Sequence, residues 1–350
     1  MSFDRIVAGA GIWGCTVARR LAESGHRVLV LEARPVVGGN VRCEEKDGIE
    51  IHTYGSHIFH THLPEVWNFI RRFAEFNGYQ HKVVAHYQGK SYFLPLGLSL
   101  INKFFNVELN PGEVAGFMRD VGHSAAVFDA FFRGYTSKQW GRAPEDIDPA
   151  IIKRVPVRNN YDVNYFNDYW QGIPSAGYNA LFDRMLDHPN IVVQCNRALT
   201  LDEIIAANVR VYYSGPIDRL FGYKFGALPW RSLRFEMEEL DVQDFQGTSV
   251  INYTEAEIPY TRIHEFKHYH PERKEVMSAE RTIVVREYSK TWEPGDEPYY
   301  PINTAESADL LGKYQGEAAK VPNLVVGGRL GSYRYFDMDQ SVSVALVLPL

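Results

Sequence analysis

GAGIWGCTVARRLAESGHRVLVLEARPVVGG spans Gly9–Gly39, and its reading decides the fold. The apolar run Arg5–Ala8 before it predicts a short buried strand. Ile12–Ser24 predicts a helix with Cys15, Ala18, Leu21 and Ala22 on one face, stopped by Gly25. Arg27–Leu31 predicts a second strand, and Glu32 ends it, 21 residues after Gly11. Gly9, Gly11 and Gly14 then fall on the G-x-G-x-x-G spacing, which is weak alone and specific between two such strands. The glycines let backbone approach a pyrophosphate at a helix N-terminus, and the acid takes ribose hydroxyls. A tight turn with no ligand is the bland alternative.

The residues after Glu32 bear on which dinucleotide is bound. Chains that bind NAD usually run on into another crossover. Here Gly38, Gly39 and Asn40 come next, with Arg34 and Arg42 nearby, which resembles the large FAD family of glutathione reductase-like and amine oxidase-like proteins and favours FAD. Val209–Asp218 predicts a strand ending in a Gly-Pro turn. Asn323–Leu346 predicts a strand, a glycine pair and a helix whose N-terminus faces the flavin. The expected fold class is α/β: a discontinuous Rossmann-like FAD-binding domain (1–60, 185–225 and 322–350), an inserted helical subdomain and an antiparallel β-sheet domain. Pro64–Phe76, Gly112–Val121 and Ser124–Tyr135 predict the helical substrate subdomain over 61–150. Alternation in TSVINYT, PYTRIHEFKHYH and RTIVVREYS predicts the sheet over 151–184 and 226–321.

At 350 residues the chain has room for two or three domains of about 100–200 residues each. A net charge of −6 argues against nucleic-acid binding. The three cysteines form no CxxC pattern, no leader is evident, and no apolar run reaches about 18 residues. A cytoplasmic location is expected. His57, His60 and His62, or His264, His268 and His270, tempt a metal reading. No Cys or carboxylate nearby completes a tetrahedral set around the first trio, and the second reads as exposed strand, so no metal is expected.

The order YGSHIFHTH (54–62), FFRGYTSKQWGR (131–142), IIKRVPVRNNYDVNYF (151–166), QGIPSAGY, SGPID, FGALPWRSLRFE, VINYTEAEIPYTRIHEFKH, GDEPYYPIN and GGRLGSYRYFDMDQ closely resembles the bacterial UDP-galactopyranose mutase family over nearly the whole chain. The resemblance implies an isomerase interconverting UDP-galactopyranose and UDP-galactofuranose for cell-surface glycans. Reduced FAD supplies N5 as nucleophile at the anomeric carbon, with no net redox change and an external reductant for activation. It further implies a homodimer and a mobile loop near 149–158.

By the same resemblance, Arg154 and Arg262 meet the diphosphate, and Lys153 and Arg158 are weaker candidates. His57 lies beside the flavin. Phe131, Phe132 and Tyr135 sit at the uracil, and Trp140 closes the sugar end. Tyr165, Asn252, Tyr300 and Tyr335 contact substrate. Arg329 and Asp337 lie on the flavin side, with Asp337 alternatively a substrate contact or a helix cap. Tyr299 competes with Tyr300 for the inward position. Ser56 and Asp339 depart from the family pattern, which commonly has Ala and His there. The competing readings are an FAD-dependent amine or sugar oxidase or dehydrogenase on the same fold, and a nucleotide-sugar-binding protein without chemistry. Arginine suits the diphosphate because its planar fork matches phosphate oxygens.

Overall fold

The computed structural model describes residues 3–143, 145 and 158–350. Five short strands form a parallel sheet: β1 (Arg5–Ala8), β2 (Val28–Leu31), β9 (Ile191–Gln194), β10 (Arg210–Tyr213) and β16 (Leu324–Val326), in the order β16-β10-β1-β2-β9. Start, middle and end of the chain all contribute, in accord with the discontinuous domain. The helix Ile12–Glu23 follows β1 and buries Cys15, Ala18, Leu21 and Ala22. It packs between the helices Gly177–Leu186 and Met338–Leu346. Each large apolar side chain buried there contributes about 1.5–3 kcal/mol. Arg20 ties the last helix down by donating to the carbonyls of Ala345 (2.6 Å) and Leu348 (2.9 Å). A guanidinium at a helix C-terminus satisfies orphan carbonyls and complements the dipole.

A seven-stranded sheet stands beside it. It comprises β6 (Val83–Tyr87), β7 (Lys90–Leu94), β11 (Trp230–Leu240), β12 (Val250–Tyr253), β13 (Arg262–Glu265), β14 (Thr282–Thr291) and β15 (Tyr300–Pro301), ordered β15-β11-β14-β13-β12-β6-β7. Its pairings are antiparallel except β12 with β6. Two ribbons, β3 (Cys43–Lys46) with β4 (Ile49–His52) and β5 (Phe59–Thr61) with β8 (Trp170–Gly172), link the halves.

The block 61–150 is not purely helical. Its hairpin β6–β7 extends the larger sheet, turning through Gln88 and Gly89 at φ 47° and 72°, the conformation two-residue hairpin loops favour. The helix Gly177–Leu186, within the block assigned to the antiparallel domain, instead covers the parallel sheet. The expected helix over 112–121 shortens to Val114–Phe117. Ser124–Tyr135 lies inside a longer helical run, Val121–Phe128 and Gly134–Trp140 joined by a π turn at Asp129–Arg133. His268 and His270 are not on an exposed strand. Phe266–Tyr269 is a single 3-10 turn, His264 and His270 are buried, and His270 Nε2 meets Glu50 at 2.8 Å.

Candidate active site

The parallel sheet, the helix Ile12–Glu23 and the loop before β15 enclose a cleft of about 950 Å³, large for a ligand site. Gly9, Gly11, Gly14, Glu32, Gly38, Gly39, Asn40, His57 and Arg329 all line it. A Cβ on Gly11 meets nothing nearer than Gly39 Cα at 3.8 Å, so it points into open cleft at the helix N-terminus. A Cβ on Gly14 lands 1.9 Å from the Gly9 carbonyl, so this glycine serves close helix–strand packing. Glu32 accepts from the N–H groups of Ala10 (2.8 Å) and Arg34 (2.9 Å), which fixes its carboxylate at the cleft wall. The Arg34 guanidinium lies over the Tyr54 ring and bridges the cleft mouth to Glu297 at 2.5 Å, while its buried Nη1 lacks a partner among the described residues. An open backbone cradle, an anchored carboxylate and an unsatisfied cationic donor together fit a dinucleotide.

A second group of side chains is organised by the larger sheet. Register places Asn252, Arg262 and Glu287 side by side on β12, β13 and β14. Arg262 Nη1 donates to both Glu287 oxygens at 3.3 and 3.4 Å, and its guanidinium lies 5.8 Å from the Tyr135 ring centroid. Burial alone would raise the Glu287 carboxyl, but Arg262 and His264 overcome it and hold the group down to about 2. Arg262 in turn is held above its ordinary range, since Glu287 outweighs the desolvation that opposes it. Tyr135 OH and Asn252 Oδ1 are buried without partners among the described residues. Orphaned polar atoms in a native interior mark a place where a ligand or water completes the set.

Trp140 and Tyr300 lie next to this group, ring centroids 6.1 Å apart, with Tyr335 stacked on Tyr300 at 5.7 Å and Arg329 over Tyr335. Tyr299 packs inward towards Tyr54 and Phe235, so Tyr300 is the member of the pair that meets Trp140. Tyr165 lies edge-on to His81, in the neighbourhood of Arg262 and Tyr135. His57 connects the two groups. It lines the cleft, and it is depressed to about 4 by burial and by Arg329, with the Glu287 charge opposing. Its imidazole is therefore neutral near pH 7, with Nδ1 2.6 Å from the Gly55 carbonyl.

Phe131 departs from the expected arrangement. It is 2% exposed and packs on Tyr92 and Phe104 beneath the hairpin, so it offers no face to a base. Phe132 stacks on Phe128 and stays partly exposed. Asp337 is the N-cap of the helix Met338–Leu346, where Gln340 Oε1 accepts from its N–H at 3.0 Å, and it is not part of the cleft lining. Arg158 is a loop anchor, buried and donating to the Asp162 and Asn164 carbonyls. Arg154, Lys153 and nearly all of the loop 149–158 lie outside the described residues. His60 and His62 share Asp168 rather than converging with His57.

A family model described as UDP-galactopyranose mutase matches residues 130–335, and one for an NAD(P)-binding Rossmann-like domain matches residues 7–73. A probable UDP-galactopyranose mutase of Klebsiella pneumoniae is 38% identical, covering 97% of this chain and 92% of the relative. The chain belongs to the UDP-galactopyranose mutase family. It is thus an isomerase, and its cofactor is FAD. A dTDP-fucopyranose mutase of Escherichia coli is 36% identical over 97% of this chain and 96% of its own length. A solved structure of reduced UDP-galactopyranose mutase shares the fold at TM-score 0.74, with 16% identity over 99% of this chain and 93% of that one.

Three features of this mutase-family site escape sequence reading. Glu287 looks like an ordinary charged residue of an alternating strand, and only the register reveals it as the buried partner of Arg262. Lys138 donates to the carbonyls of Tyr253, Glu255, Ile258 and Tyr260 at 2.7–3.0 Å, pinning the turn that leads into Arg262. Arg231, buried, donates to the carbonyls of Lys138 and Gln139 and so caps the helix that ends at Trp140. Arg231 leaves the faint signal of a cation beside an apolar stretch, and Lys138, between Ser137 and Gln139, leaves none.

Proposed function

We propose that the chain interconverts UDP-galactopyranose and UDP-galactofuranose. Family membership supports the reaction. The observation that carries the site is the anchored Arg262 with two orphaned polar atoms, Tyr135 OH and Asn252 Oδ1, around it. Bound and reduced, FAD supplies the nucleophile for the anomeric carbon. Arg262 takes up charge as the diphosphate leaves, and Arg154 is assigned to the same task by resemblance. Tyr135 and Phe132 are assigned to the uracil side. Trp140, Tyr300, Tyr335 and Tyr165 enclose the sugar and diphosphate, excluding water. The neutral His57 adds no charge of its own beside the cleft. An external reductant and a homodimer complete the reading. No helix among the described residues is long and apolar enough to cross a membrane, in keeping with a cytoplasmic enzyme.

The Escherichia coli relative favours a second reading of the substrate, a dTDP-linked 6-deoxy sugar. Purified protein should be yellow. After dithionite reduction it should convert UDP-galactofuranose to UDP-galactopyranose without stoichiometric electron consumption, and faster than it converts the dTDP-fucose pair. Faster turnover of the dTDP sugar replaces the first reading with the second. Electron consumption matching turnover replaces both with an oxidase.

A further inference from the structure

Behind the Arg262–Glu287 pair runs a chain of buried and half-buried hydrogen bonds that the proposed reaction does not use. Tyr269 O–H donates to Ser56 Oγ at 2.6 Å, and Ser56 Oγ lies 2.7 Å from His264 Nδ1. His264 Nε2 lies 3.0 Å from Glu287 Oε2. Thr261 O–H reaches the other Glu287 oxygen at 3.1 Å. His264, Tyr269 and Glu287 are each at most 1% exposed, and Ser56 is half-buried at the end of the chain.

The directions of these bonds follow from valence. An ionised carboxylate only accepts, so His264 carries its proton on Nε2. The Ser56 oxygen already accepts from Tyr269, so its own proton is free to go to Nδ1. With the serine proton directed at Nδ1 and the ring proton on Nε2, His264 takes a single tautomer. The titratable groups around it are Glu287 on β14, Arg262 on its own strand, His52 on β4, His57 in the Ser56 loop, His81 before β6 and Tyr269 in the 3-10 turn. Burial holds His52, His57 and His81 neutral, so Arg262 is the cation among them. A second charge on His264 would compete with Arg262 for the same carboxylate.

We propose that Ser56 and His264 are positioning residues: the serine hydroxyl locks His264 as the neutral Nε2–H tautomer, and that tautomer holds Glu287 so that it aims Arg262 at the substrate diphosphate. This rests on the assignment of Arg262 to the diphosphate. Removing the hydroxyl takes away the proton that Nδ1 accepts, and the ring is then free to move its own proton to Nδ1 or to turn. Glu287 then loses its His264 donor, and Arg262 loses its fixed aim.

The test uses holoenzyme with 15N-labelled histidine, the His264 resonances assigned by their loss in His264→Gln. UDP affinity is measured on the same samples by titration calorimetry. Wild type should show the neutral Nε2–H pattern at pH 7. Ser56→Ala should lose that pattern and bind UDP roughly fivefold more weakly, the scale of one hydrogen bond. Ser56→Thr, which keeps the hydroxyl, should restore both. If Ser56→Ala leaves either the tautomer or the UDP affinity unchanged, the positioning role is overturned. Arg262→Ala separates the two failures: UDP binding as tight as in wild type would sink the diphosphate assignment itself, whatever Ser56 does.

Discussion

Arg262 concentrates the chemistry of the proposed site into one side chain whose aim is set by a buried carboxylate. Arg262→Ala should keep FAD and reduce kcat/KM by about 10²–10³-fold, the usual scale for losing a donor to developing charge. It also leaves Glu287 with only His264 and Thr261, so the variant should melt below wild type in a thermal scan. Arg262→Lys should recover stability better than turnover, since an ammonium restores the charge without the planar fork. At this scale the sequence is least informative. Resemblance points to Arg262, but nothing in RTIVVREYS distinguishes Glu287 from a solvated strand glutamate. Phe131 is misleading for a related reason. The π turn at Asp129–Arg133 adds a residue to the helix and rotates its face, so Phe131 and Tyr135, four apart, look in different directions.

Among the elements, the strand–glycine–helix opening is the most legible, because its spacing is local and each glycine has a separate job. The structure divides those jobs in a way that can be checked. Gly11→Ala puts a methyl into open cleft, so it should fold normally and weaken FAD binding about tenfold or more, read by flavin fluorescence on dilution. Gly14→Ala forces a methyl onto the Gly9 carbonyl and should cost about 3 kcal/mol or more of stability. The hairpin β6–β7 is hidden from sequence reading because its partner, β12, lies far along the chain, and long-range pairing leaves no local trace. Lys138 is the other element-level device. Lys138→Met strands four carbonyls and should destabilise the protein by about 2–3 kcal/mol in urea, with faster amide exchange across residues 253–262.

The whole molecule carries a pH signature. Burial holds His52 and His81 neutral, each down to about 3 from an ordinary 6.5. Between those values the unfolded chain binds more protons than the folded one, so stability falls as pH drops below about 6.5, by about 1.4 kcal/mol per pH unit for each histidine. Glu50 and Glu287, both held down to about 2, act in the same direction lower on the scale. Their contribution is full above about pH 4.5 and is lost as pH falls towards 2. Urea unfolding at pH 7.5, 6 and 5 should show a steady loss from the neutral end. A flat profile over that range would mean that the two histidines are not buried as described. Sequence reading could not supply this, because a histidine's surroundings come from several distant segments at once.

The sheet that cradles the dinucleotide draws its first strand from residue 5 and its last from residue 326, and Arg329 and Ser341 finish the wall. On a ribosome, the early half of that cradle emerges hundreds of residues before the late half. A nascent chain therefore has no complete pocket to offer a coenzyme until the strand ending at residue 326 and the wall behind it have emerged, and flavin capture must wait for them.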